Sequence, residues 1–186
     1  MNPAALAKLE ARFGPGLRKV AEEEVRALLT EQQYQYDFLG FCRDLLGYHD
    51  LLTREQELLP GYSHEDLCEF LQNDPTPFKL ILMPRYSFKS CVISIGRPLW
   101  RLMVDPNLRF LFYSDVNEKA ESLLDGVKNH LLGRVAGSTF RQRLGAWEVD
   151  PKRGVWNQQE IVIRPRTTAH IESTIETAGM ETSKVM

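Results

Sequence analysis

Apolar residues recur at helical spacing in the first part of the chain. These patterns cover residues 17–29 and 34–52. Further helix starts are predicted at Thr53, which has Gln56 three residues later, and at Ser63. The N-terminal part of the chain is therefore predicted to be helical.

The middle of the chain alternates short apolar runs with helical patterns. The run at 80–83 predicts a short buried strand, and the run at 109–114 predicts a second, aromatic-rich strand. Helices are expected over 91–102 and 115–131. Strand–helix–strand–helix at this spacing is typical of a parallel sheet with right-handed crossovers. The predicted fold class is therefore α/β, with a parallel sheet flanked by helices and an N-terminal helical segment.

The last part of the chain carries shorter strand signals. Trp147 and residues 156–164 indicate edge or hairpin strands, residues 169–177 alternate enough to form a strand, and residues 178–180 indicate a turn. Residues 133–160 contain more basic than acidic side chains. This excess either contacts DNA phosphates or a neighbouring subunit, or it is the solvated face of a loop.

Composition narrows the class of protein. A chain of 186 residues with 43% hydrophobic and 26% charged residues suits one globular domain. Its 23 basic and 25 acidic residues give a net charge of −2, so any contact with DNA must be local. Three widely spaced cysteines show no metal-ligand spacing and no disulfide set, which favours a reducing compartment. No secretory signal or membrane span is predicted.

The candidate chemistry is concentrated in KLILMPRYSFKSCVISI, residues 79–95. A predicted strand leads into a loop, and Lys89 and Ser90 then open a predicted helix. This is the order of a phosphate-binding loop, in which backbone N–H groups, the helix N-terminus and the lysine face phosphates and the serine hydroxyl holds Mg²⁺. The pattern GxxxxGK[ST] is not met, because Met83 and Phe88 stand at its glycine positions. The alternative is an ordinary buried strand followed by a helix with a solvated lysine.

The string M-P-R-x-S-x-K-S resembles the deviant phosphate loop of the large terminase subunit, the ATPase that packages DNA into the heads of tailed phages. Arg85 stands four residues before Lys89, where the family's loop arginine stands. The strings DPNLRFLFYSDVNEKAESLL and WNQQEIVIRP also resemble the family. The resemblance covers about residues 34–186. It implies a P-loop NTPase-like fold, with residues 1–33 as an N-terminal helical arm and 34–186 as the N-terminal part of the ATPase domain.

The resemblance also implies the binding of ATP and Mg²⁺. Arg85 and Lys89 would be the catalytic residues, and Ser90 would be the metal ligand. The nucleotide would bind across the loop formed by Pro84, Arg85, Tyr86, Ser87, Phe88, Lys89 and Ser90.

The family covers the adenine with residues that precede the first strand. His64, Tyr62 and Glu65 are the candidates for that contact in this chain. The alternative for His64 is a helix-start histidine with a solvated ring.

The carboxylates needed for hydrolysis are not identified in the sequence. Asp115, with Glu118 three residues later, is interpreted as a helix cap, and the alternative is a metal-binding acid at the end of a strand. The resemblance instead implies an acidic strand after residue 186, followed by a nuclease domain. In many family members an arginine just before that strand acts on the ATP of the neighbouring subunit, and here that neighbourhood holds Lys184.

The implied function is an ATP-driven motor that moves double-stranded DNA into a procapsid. The implied partners are DNA, the small terminase subunit, the portal of the procapsid and further copies of the chain in a ring, in the cytoplasm of an infected bacterium and with no membrane. Two alternatives stay open. One is a helicase-like or recombinase-like P-loop ATPase, and the other is a non-catalytic α/β binding module in which Lys89 is an ordinary lysine.

Overall fold

The computed structural model describes residues 16–48, 64–150, 152 and 154–180. Predictions for Thr53, Tyr62 and Lys184 lie outside the described residues. The elements, in chain order, are α1 (Gly16–Tyr34), α2 (Phe38–Gly40), the π-helical segment π1 (Phe41–Leu45), α3 (His64–Asn73), the π-helical segment π2 (Ser90–Gly96), α4 (Arg97–Val104), β1 (Phe110–Ser114), α5 (Asn117–Leu131), α6 (Phe140–Leu144), β2 (Glu160–Ile161) and β3 (Ile175–Gly179).

The predicted helix over 34–52 is divided within its described residues, 34–48, and residues 49–52 lie outside the described part of the chain. The chain leaves α1 at Tyr34, and Asp37 starts α2 by accepting a hydrogen bond from the Gly40 N–H at 2.7 Å. The chain then continues as π1. A side-chain cap inside a periodic pattern thus decides where one helix ends and the next begins.

None of the helices in the described part of the chain has the length and apolar character needed to cross a membrane.

The first helix is anchored at its C-terminal end. The indole N–H of Trp100 in α4 donates to the Tyr34 carbonyl at 2.8 Å, and the Trp100 ring lies 5.1 Å from the ring of Phe38. Helix α1 also packs against α6. Its more N-terminal apolar residues remain exposed, namely Val25, Leu28 and Leu29. Residues 16–33, the described part of the predicted arm, therefore contact the body of the protein through α6 and through the C-terminal end of α1.

The sheet is mixed, with β3 at its centre. Strand β3 pairs in parallel with β1 and antiparallel with β2. The parallel pairing of the two longer strands confirms an α/β arrangement. Helix α5 covers one face so closely that a Cβ on Gly179 would lie 2.7 Å from the backbone nitrogen of Asn117, so a side chain at Gly179 would collide with the start of α5.

The prediction of a buried strand at 80–83 is wrong for the described structure. No strand is assigned there, and Leu80 and Leu82 are 83% and 84% exposed. Ile81 and Met83 are partly buried and pack against the core, so alternate side chains do face inward. A strand requires a neighbouring backbone as well as an apolar pattern, and none of the described strands pairs with this segment.

The predicted strand over 169–177 begins later than expected, and its predicted turn is wrong. Strand β3 spans Ile175–Gly179, which includes two of the three residues assigned to the turn. The preceding loop is held by side chains instead of a ladder. Asn107 Oδ1 accepts the N–H groups of Thr167 and Thr168, each at 3.0 Å. The Arg166 guanidinium donates to the carbonyls of Thr168, His170 and Glu172.

The capping role predicted for Asp115 is also wrong. Helix α5 has Val116 at its N-cap, with no side-chain capping bond. The Asp115 carboxylate instead accepts hydrogen bonds from the Lys119 ammonium, at 2.9 Å from both oxygens. Asp115 and Lys119, four residues apart on the surface, thus form an ion pair in place of the predicted cap.

Candidate phosphate-binding loop

The loop between residues 84 and 90 adopts a conformation that is costly for its residues. Tyr86 and Phe88 have φ angles of +65° and +48°, in the left-handed region. Phe88 occupies the second glycine position of the usual phosphate-loop pattern. The left-handed conformation costs about 1–2 kcal/mol for a residue with a side chain. The loop therefore keeps a glycine-like backbone without the glycine. Strain of this kind is concentrated at ligand-binding sites.

The backbone N–H groups of residues 85–90 are the candidate donors for a ligand. The first described hydrogen bonds of the following helix run from the N–H groups of Cys91 and Val92 to the Phe88 carbonyl. Within the described part of the chain, the N–H groups of residues 85–90 donate no backbone hydrogen bond. Free N–H groups in a turn that leads into a helix form a typical anion-binding site.

Side chains hold the loop closed around the Pro84 carbonyl. This oxygen accepts hydrogen bonds from Ser87 Oγ at 2.9 Å and from Lys89 Nζ at 2.7 Å. Ser87 is only 1% exposed. The ammonium of Lys89 therefore lies across the loop, and an anion there would compete with the carbonyl for it.

His64 contacts the backbone of the loop. Its ring is 4% exposed, and its Nε2 lies 3.1 Å from the Ser87 carbonyl oxygen. Since a carbonyl only accepts hydrogen bonds, Nε2 is the protonated nitrogen of this contact. The interpretation of His64 as a solvated helix-start residue is therefore wrong. The structure places His64 at the loop, and its contact with adenine stays a prediction.

The other predicted site residues differ in their placement. Arg85, Tyr86 and Ser90 are exposed, and Tyr86 is 92% exposed. Ser90 is the first residue of π2, so its hydroxyl is positioned at the start of the helix. The structure thus brings together Pro84, Ser87, Lys89 and His64, and it leaves the Arg85 side chain at the surface.

No group of three or more His, Cys, Asp or Glu side chains is arranged to hold a metal ion in the described ranges. Asp115 follows β1 directly, and the hydrogen bonds from Lys119 lower the pKa of its carboxyl to about 2. Its carboxylate is ionised at neutral pH and already paired with Lys119. A magnesium ion at Ser90 would therefore need carboxylates beyond those that the described residues bring together.

Sequence reasoning missed a buried polar network beside the helical layer. The Tyr48 hydroxyl lies 3.0 Å from Nε2 of His130, and Nδ1 of His130 lies 3.0 Å from Ser138 Oγ. Ser138 donates to the Leu45 carbonyl at 3.1 Å, so it accepts from Nδ1–H, and Nε2 accepts from Tyr48. The only signal in the sequence was His130 on the apolar face of the helix predicted at 115–131.

Two variants of Tyr86 test the left-handed backbone. Tyr86→Gly should leave the free energy of unfolding unchanged or raise it, because glycine adopts φ +65° without strain and the exposed ring loses few contacts. Tyr86→Val should lower it by about 1 kcal/mol, because a β-branched residue is least tolerated there. Urea unfolding measures both, and equal stability of the two variants would contradict a left-handed Tyr86.

The fold and the loop define a mixed α/β protein with a candidate anion-binding loop at the start of a helix. Comparisons of this chain with protein-family models, with curated proteins and with solved structures find no match. The functional assignment therefore depends on the loop and on the resemblance of its sequence.

Proposed function

We propose that this chain is the ATP-binding part of a large terminase subunit, the motor that moves double-stranded DNA into a phage procapsid. The observation that carries the proposal is the loop at residues 84–90. Its positive φ angles at Tyr86 and Phe88, its N–H groups with no described backbone acceptor and its Lys89-Ser90 helix start support phosphate binding without the glycines.

The chain's own residues suggest how the nucleotide is bound. The N–H groups of residues 85–90 would donate to phosphate oxygens, and the Lys89 ammonium would exchange the Pro84 carbonyl for an outer phosphate. His64 holds the loop through the Ser87 carbonyl, which keeps the donors oriented. Arg85, exposed on the same loop, would contact the outer phosphate, and the Ser90 hydroxyl would bind Mg²⁺.

Hydrolysis needs an acid for the metal and a carboxylate that orients water. The described residues do not assemble such a group. We propose that the acidic strand implied by the resemblance supplies both carboxylates. The backbone of residues 80–83 pairs with none of the described strands, so an added strand could pair with it.

The remaining parts of the proposal follow from the same resemblance. The parent protein would act in the cytoplasm of an infected bacterium, in a ring of identical subunits, with the small terminase subunit, the portal and double-stranded DNA as partners. The chain has no overall positive charge that would attract DNA to its whole surface, since its net charge is −2. Contact with DNA would therefore be confined to local basic surfaces.

Hydrogen exchange with ATP and Mg²⁺ tests the proposal. We expect the amides of residues 85–90 to become protected when nucleotide is added, because their N–H groups gain partners. The exposed loop at 167–172 serves as the internal control, since its amides lie away from the loop in sequence and should not change. Unchanged exchange at 85–90 in millimolar ATP would reject the proposal and favour the non-catalytic binding module.

A further inference from the structure

A cleft of about 260 Å³ between α1 and α6 is lined by three arginines. Arg26 comes from α1, and Arg141 and Arg143 come from α6. Glu23 is the one carboxylate among the lining residues. The lining is therefore positively charged in a chain whose net charge is negative. None of its residues belongs to the loop at 84–90.

Arg141 is held in place from behind. Its guanidinium donates to both oxygens of the Glu148 carboxylate and to the Leu131 carbonyl. These contacts fix the orientation of the group and partly neutralise its charge. Arg141 therefore contributes a preorganised wall to the cleft.

Arg143 comes from the same helix and lines the same cleft. Burial and Asp44 raise the pKa of Tyr34, and the charge of Arg143 opposes this effect. The Tyr34 hydroxyl in turn donates to Asp44 at 3.2 Å. The charge of Arg143 also lowers the pKa of Asp44, so this arginine acts on the Tyr34–Asp44 pair as well as lining the cleft.

Arg26 is the least engaged of the three. Its guanidinium makes no hydrogen bond or ion pair with another residue that the structure describes, although its backbone carbonyl accepts from Thr30. Arg26 from α1 and the two arginines from α6 thus line one cavity. Neither the helical arm nor the body of the protein forms this arrangement alone.

We propose that this cleft binds a phosphate group. Guanidinium groups match phosphate oxygens through paired N–H donors, and converging arginines are the usual means of holding phosphate. The phosphate would come either from the backbone of double-stranded DNA or from a free phosphate or pyrophosphate ion. The site stands apart from the ATP loop and does not depend on the proposed function.

The test compares charge-removing variants in two binding assays. The 186-residue chain is titrated into a short fluorescein-labelled DNA duplex and followed by anisotropy, and pyrophosphate is titrated by calorimetry. We expect Arg26→Gln and Arg143→Gln each to weaken binding by about fivefold to tenfold. For the duplex, each should lower the salt dependence by about one phosphate contact. Arg101→Gln is the matched control, because Arg101 is exposed on α4, lies outside the basic stretch at 133–160 and does not line the cleft.

The outcomes separate the two phosphate sources. Loss of duplex affinity in Arg26→Gln but not in Arg101→Gln supports a DNA phosphate, and the same pattern for pyrophosphate alone supports a free phosphate. Equal binding by wild type and both cleft variants, or no binding of either probe, would overturn the proposal. Arg26→Gln keeps the test decisive if Arg143→Gln unfolds, since Arg26 is exposed on α1. ATP binding, measured in parallel, should be unchanged in the cleft variants.

Discussion

Lys89→Ala is expected to abolish measurable ATP binding. The Lys89 ammonium already lies over the loop, 2.7 Å from the Pro84 carbonyl oxygen. Loss of a charge-assisted bond to phosphate weakens binding by about 3 kcal/mol, which is about a hundredfold in the dissociation constant. Calorimetric titration with ATP and Mg²⁺ measures the effect.

Lys152→Ala is the matched control for this variant. Lys152 is exposed and lies outside the loop, so its removal should leave the ATP affinity at the wild-type value. Because Lys89→Ala also removes the bond to Pro84, thermal melting should accompany the titration. An intact Lys89→Ala variant with wild-type ATP affinity would show that the loop does not bind the nucleotide.

Acidification from pH 6.5 to pH 4 is expected to destabilise the protein by about 3 kcal/mol through His130. Burial lowers the pKa of this histidine from 6.5 to about 4 in the folded state. The unfolded state therefore binds a proton in this interval that the folded state does not. Stability consequently falls as the pH falls through it and is fully retained above the unfolded value. Urea unfolding at a series of pH values measures the slope.

His130→Gln should remove this part of the pH dependence, although it lowers stability at neutral pH by breaking the network with Tyr48 and Ser138. His170→Gln provides the control, because His170 is exposed and makes no buried network. A wild-type slope that persists in His130→Gln would assign the effect to other groups. A slope equal in all three proteins would contradict a buried neutral His130.

Local features of the candidate site were predicted well from residue types. The helix start at Lys89 and Ser90, the helix through residue 102 and the helix over 115–131 all appear close to their expected places. Each depends on a periodic pattern that neighbouring residues in the chain establish together. The beginning of β1 was displaced from the prediction by a single residue, from 109 to Phe110.

Features that depend on distant residues were predicted poorly. The segment 80–83 has the composition of a strand, but a strand exists only where a second backbone accepts its hydrogen bonds. The loop before β3 has an alternating pattern, but Arg166 and Asn107 bind its backbone groups instead. Asn107 lies 60 residues from Thr167, and a strand partner for 80–83 would likewise lie outside the window in which a pattern is read.

The amino-acid sequence by itself determined the helical segments, the α/β character and the position of a loop with lysine and serine at a helix start. These are properties of short-range sterics and apolar periodicity, which act between near neighbours. Only the tertiary structure decided that His64 supports that loop, that Tyr48 and Ser138 enclose His130, and that Arg26 joins the arginines of α6. Such contacts join residues far apart in the chain, and packing of the whole core selects them.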